Sequence, residues 1–137
     1  MQVAPLIRVA LALLSIGAAG VRVNAAEGDG STPLHWAVYH DDLESADRLI
    51  RAGADVNAAN DLGVTPLWTA SQNGSTAMVR RLLEAGANPN AALLAGETPV
   101  MVAARSGYPD LVELLLAKGA KVNTRAARGH HHRRLTG

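Results

Sequence analysis

At 137 residues the chain has room for one domain or one short repeat array. Nearly half of it, 48%, is apolar, but the aromatics are only Trp36, Trp68, Tyr39 and Tyr108, so a core must come from Leu, Val, Ile, Met and Ala, a mixture that favours closely packed helices. The absence of cysteine excludes disulfides, thiolate nucleophiles and Cys-based metal centres. A net charge of +1 conceals a segregation: residues 28–124 hold seven basic and eleven acidic side chains, while 125–137 hold four arginines and no acid. A fold that is itself mildly acidic is a poor match for nucleic acid, which is bound through basic surfaces.

In chain order, the first segment reads as an export signal over residues 1–25. Met1 to Arg8 gives a short positive start, Val9 to Val21 an uncharged and mostly apolar run, and Val23-Asn24-Ala25 small residues suited to cleavage, with Ala18-Ala19-Gly20 as a second candidate. The run is shorter than the about 20 apolar residues a helix needs to cross a bilayer, so no stable membrane span is expected. A periplasmic or secreted location follows. A second reading uses the same residues: Gly20, Val23 and Asn24 stand 33 residues before Gly53, Val56 and Asn57, in register with the end of a preceding half-repeat. In that case residues 1–25 form a capping helix and the protein is cytoplasmic.

That 33-residue offset runs through the chain. It relates Thr32-Pro33, Thr65-Pro66 and Thr98-Pro99, then Gly30, Gly63 and Gly96, then Gly53, Gly86 and Gly119, then Asn57, Asn90 and Asn123. Four independent columns with one spacing define a tandem repeat. Within each unit the Thr hydroxyl is suited to cap a helix whose first residue is Pro, where a missing N–H costs nothing. First helices are predicted over Thr32–His40, Thr65–Asn73 and Thr98–Ser106, ended by Asp41, Gly74 and Gly107. Second helices follow over about Leu43–Ala52, Thr76–Ala85 and Pro109–Lys118, each closed by Gly53, Gly86 or Gly119 at the position that favours a left-handed backbone. The Asn-, Gly- and Ala-rich segments between units read as hairpin-like loops.

The stretches "GSTPLHWAV", "GVTPLWTAS" and "GETPVMVAA", with "LIRAGADVNAAN", "LLEAGANPNAAL" and "LLAKGAKVNTRA", resemble ankyrin repeats over roughly residues 20–126. The resemblance implies an all-α solenoid of helix–loop–helix units with protruding hairpins: a partial N-terminal half-repeat and three full repeats at 28–60, 61–93 and 94–126. The structural motif lies at Thr32, Pro33, Leu34 and His35, at Thr65, Pro66 and Leu67, and at Thr98 and Pro99. The motif histidine is present only at His35, with Trp68 and Met101 in its column, and the resemblance gives that histidine the role of tying neighbouring loops. Asp41 replaces the glycine found at 74 and 107. After Gly129 the register is lost, and residues 127–137 form an irregular basic tail, a truncated or frame-shifted fourth repeat being the expectation. Without a C-terminal cap, Leu111–Leu116 are expected to be under-covered. Stability is then marginal or partner-dependent, with a monomer expected unless that end self-associates.

The residues between Gly30 and Asp42 suggest an active site and do not sustain one. His35 and His40 are five apart, about 140° around a helix, which is poor geometry for chelation. Asp41/Asp42 and Asp110/Glu113 sit near the starts of second helices, where negative charge suits the helix dipole. Neither a Gly-x-Ser-x-Gly element nor a phosphate-binding glycine loop is present. No catalytic residue, metal site or cofactor is assigned. The run His130-His131-His132 leaves one alternative, a small exported metal- or ligand-binding factor; a gene fragment without independent function is another.

What remains is recognition of a protein partner. The resemblance implies a concave surface built from hairpin tips and the exposed edges of first helices. Its candidates are Asp61, Leu62, Val64 and Glu97 on the tips, and Tyr39, His40, Gln72, Asn73, Arg105 and Ser106 on the edges, with Asp29, Ser31, Leu94 and Ala95 as further tip positions. Tyr39 and Arg105 are the first choices, since aromatic and arginine side chains anchor interfaces. Trp36 and Trp68 are assigned mainly to packing.

Overall fold

A computed structural model describes residues 23–122. The run to Arg22, Asn123 and the tail with its three consecutive histidines lie outside the described residues. Within them the chain forms three helix pairs: α1 (Pro33–Tyr39) with α2 (Leu43–Arg51), α3 (Pro66–Asn73) with α4 (Thr76–Glu84), and α5 (Pro99–Arg105) with α6 (Pro109–Ala117). The expected helices are found with their ends drawn in by about one residue. Thr32, Thr65 and Thr98 keep an extended backbone and accept hydrogen bonds from the N–H groups of His35, Trp68 and Met101, so they stand outside the helices they start. Pro33, Pro66 and Pro99 fill the first turn, as expected of a residue without an N–H to waste.

Packing follows the repeat. Leu34, Leu67 and Val100 occupy one buried column, Ala37, Ala70 and Ala103 another, and Leu49, Leu82 and Leu115 a third. The alanine column lets α1 lie close against α3, and α3 against α5, whereas α2 and α4 touch more sparsely. A stack tighter along its first helices curves towards them, which leaves the hairpin tips and α1, α3 and α5 lining the inner side. Each fully buried leucine contributes about 1.5–3 kcal/mol. At the C-terminal end, Leu111 and Leu115 are buried, so the expected under-coverage narrows to Leu116, which is 38% exposed.

Two polar devices lock successive units. The amide of Asn57 donates to the Gly86 carbonyl at 3.1 Å while its oxygen accepts from the Asn88 N–H at 2.7 Å; Asn90 repeats this on Gly119 and Lys121. Asn24 does the same one unit earlier, accepting from the Asp55 N–H at 2.8 Å and donating weakly to the Gly53 carbonyl, and Val23 beside it is buried. The hairpin tips are also joined backbone to backbone, Asp61 N–H to Asp29 O at 2.9 Å and Leu94 N–H to Leu62 O at 3.0 Å. Gly63 makes this approach possible: its φ is +85°, and a Cβ there would stand 2.8 Å from the Leu94 nitrogen.

The corners differ among units. Asp41 is the single described non-glycine residue with positive φ, at 55°, doing in the first unit what Gly74 and Gly107 do in the others. Asp42 and Ser75 cap α2 and α4 with their side chains. Tyr108, in the same column, makes no side-chain cap. Its ring instead lies over Gly74, where a Cβ would approach it to 2.5 Å.

Candidate functional site

The inner face of the first two units opens into a groove of about 360 Å³ lined by Asp29, Ser31, His35, Trp36, Tyr39, Asn60, Val64, Trp68, Thr69 and Gln72. One wall is α1, the other α3, and the hairpin tips form the floor. At its mouth the rings of Trp36, Tyr39 and His40 form a cluster: Trp36 to Tyr39 edge-on with centroids 6.2 Å apart, Tyr39 to His40 edge-on at 5.2 Å, and Trp36 to His40 stacked at 6.5 Å. Such contacts fix rings before any ligand arrives, and Tyr39 remains 63% exposed.

The polar lining is equally held. The Asp29 carboxylate accepts from the Ser31 N–H at 3.0 Å, and its hydrogen bonds to Ser31 hold the acid below the usual carboxylate range. The Asn60 oxygen accepts from the N–H groups of Leu62 and Val64, shaping the turn beneath. His35 Nδ1 accepts from the Thr32 N–H at 2.9 Å, so Nε2 carries the proton and donates to the Val64 carbonyl at 2.8 Å in the next unit. This is the loop tie expected of it. Burial pushes the imidazole below its ordinary value, opposed by the Val64 bond and the nearby Asp29 charge. With both ring nitrogens engaged in a neutral ring, His35 has no lone pair left for a metal. Among the described residues no group of three His, Asp or Glu is arranged to hold one.

Of the expected contact residues, the groove gathers Tyr39, Val64 and Gln72, and His40 lies against its aromatic rim. Asn73 proves to be a brace: its amide donates to the carbonyls of Val38 at 3.2 Å and Tyr39 at 3.4 Å. Asp61 and Leu62 are exposed at a tip outside the lining, as is Leu94 one unit later. Arg105 and Glu97 face each other in the third unit, joined by two hydrogen bonds of 2.8 and 3.0 Å, which hold the guanidinium above its ordinary value. Ser106 is exposed at the end of α5. Packing alone does not account for the tryptophans. Both are half-buried and line the groove, and Trp36 also packs against the core. The signal was available: Trp36 and Trp68 differ by one position in the repeat register, which brings them towards one space from successive helices.

The family model described as ankyrin repeats (3 copies) matches residues 34–126, covering most of the chain. The chain belongs to the ankyrin-repeat family. No curated protein matches it. Ankyrin repeats are generally protein–protein interaction modules and typically non-catalytic, so an ankyrin groove of this kind is read first as a contact surface. No helix among the described residues is long and apolar enough to cross a membrane.

Proposed function

We propose that the chain is a non-catalytic module that binds a protein partner in the groove between its first two repeats. The observation that carries this is the aromatic cluster on the inner face, in which half-buried Trp36 and His40 hold the exposed ring of Tyr39. Exposed aromatics with few rotamers give large contact area at low ordering cost, which is what interface anchors supply. The groove's polar atoms, held by Ser31, Asn60 and Val64, need little rearrangement on binding.

Immobilised full-length protein, exposed to fractions of its native host, tests this. Tyr39→Ala and Gln72→Ala should release the captured partner, while Arg105→Ala, committed to Glu97, should retain it. A partner held equally by all three variants places the interface elsewhere. We further infer export through residues 1–25, with processing at Ala18-Ala19-Gly20 in preference to Val23-Asn24-Ala25. A cut after Ala25 would discard Val23 and Asn24, which are built into the fold. Intact mass of the protein from its host checks the cut: loss of Asn24 contradicts the choice of site, and an uncleaved start contradicts processing.

A further inference from the structure

The partner's chemistry can be narrowed, on the footing that this groove is the contact surface. We propose that the groove seats the guanidinium of an arginine from the partner, with Asp29 as its counter-ion and Trp36, Trp68 and Tyr39 as its aromatic walls. Several observations point the same way. Among the described residues the lining holds one carboxylate and no lysine or arginine, and its one basic side chain, His35, is neutral and already committed at both nitrogens. Aromatic faces attract cations, and a planar guanidinium stacks on them as an ammonium does not. The Asp29 Oδ1 accepts from the Ser31 N–H, which orients the exposed carboxylate at the edge of the groove, where a charged donor can reach it. The Gln72 side chain is exposed within the lining, and its amide oxygen can accept a further N–H. At about 360 Å³ the space is at the small end of ligand sites, enough for one long side chain and too little for a folded element. In the third unit the tip carboxylate, Glu97, is already satisfied by Arg105.

Both tryptophans of the chain line this groove, so intrinsic fluorescence reports on it alone. The full-length protein is titrated with a capped Gly-Arg-Gly peptide, and with the same peptide carrying citrulline or lysine. The arginine peptide should change the emission saturably, lysine should bind more weakly, and citrulline, isosteric but uncharged, should not bind. Asp29→Asn keeps an oxygen to accept from Ser31 and removes the charge; it should weaken the arginine peptide by about threefold, with an unchanged melting curve. Glu97→Gln should have no effect. Citrulline or lysine binding as tightly as arginine, or Asp29→Asn binding as the parent does, overturns the proposal. The chain's own Arg125, Arg128, Arg133 and Arg134 are the competing occupant. If the peptide binds only after all four are replaced by Gln, the groove holds the tail and the assignment to a partner falls. A partner captured by the parent, lost with Tyr39→Ala and kept at full strength by Asp29→Asn, would leave the surface reading standing and remove the arginine alone.

Discussion

The first and third repeats carry the same backbone, yet they present opposite surfaces. The helix-edge column reads Tyr39, Gln72, Arg105 and the tip column reads Ser31, Val64, Glu97. In the third unit these columns neutralise each other, Arg105 on Glu97. In the first unit, serine opposite tyrosine offers no such closure, and the space between them stays open with Asp29 at its edge. A repeat scaffold thus acquires a site where neighbouring columns fail to satisfy one another, and loses one where they do.

The strongest way to break this comparison is to unseat the tips that hold the columns apart. Gly63→Ala imposes a left-handed backbone on a residue with a side chain, at about 1–2 kcal/mol, and drives a methyl into the Leu94 nitrogen. The hairpins must separate, with loss of the Leu94–Leu62 bond. A total near 3 kcal/mol is expected, lowering the melting temperature by about 10–20 °C in calorimetry. A melting temperature within a degree of the parent would mean that the tips are not coupled.

Next in size is His35, which only the first unit possesses. His35→Met installs the residue the third unit uses in this column, and removes the bonds to Thr32 N and Val64 O at about 1–3 kcal/mol. The substitution also changes the pH response. Because burial lowers the native imidazole's affinity for protons, the unfolded chain takes up the proton first as the solution is acidified. The His35 contribution is therefore complete above an ordinary value near 6.5, and is lost as the pH falls through the lowered native value. Urea midpoints measured from pH 7.5 downward should drop more steeply for the parent than for His35→Met. Parallel curves would show that His35 protonates equally in both states.

A smaller effect, of opposite sign, is expected at the corner. Asp41 sits at φ 55° where the other units have glycine. Asp41→Gly relieves that strain and gives back part of the gain as chain entropy, for a net stabilisation of about 0.5–1 kcal/mol. An unchanged or lower melting temperature would mean that the Asp41 side chain contributes something the geometry does not reveal.

The scaffold was legible because its signals are local and repeated. Thr–Pro starts, glycine stops and the Asn column each state their own geometry, and the His35 tie followed from its motif. The site was legible only in part, since it depends on which side chains meet across units. Arg105 read as an anchor when taken alone; nothing in one column says that Glu97, eight residues earlier, will bind it at both ends. Asn73 read as an exposed edge residue, yet the curvature of the stack carries it to the carbonyls of Val38 and Tyr39. The tryptophans were divided between core and surface by the same tertiary geometry.

The smallest expected effect tests the comparison most directly. Removing both members of the third unit's pair, Arg105→Ala with Glu97→Ala, deletes an interaction between groups that water also solvates well. Exposed ion pairs contribute little to stability, because desolvation and side-chain ordering offset most of the attraction. The double variant should therefore melt with the parent, at low and at high salt alike. The singles should differ from it in surface chemistry instead: Glu97→Ala releases a cation onto the inner face, and Arg105→Ala releases an anion. If arginine recognition depends on an uncompensated carboxylate, Arg105→Ala should gain weak affinity for the capped arginine peptide at the third unit, and the double variant should not. That new binding should leave tryptophan emission unchanged, since neither indole is there, and should appear only in calorimetry. Equal behaviour of the single and the double would show that aromatic walls, which this unit lacks, are required as well as the charge.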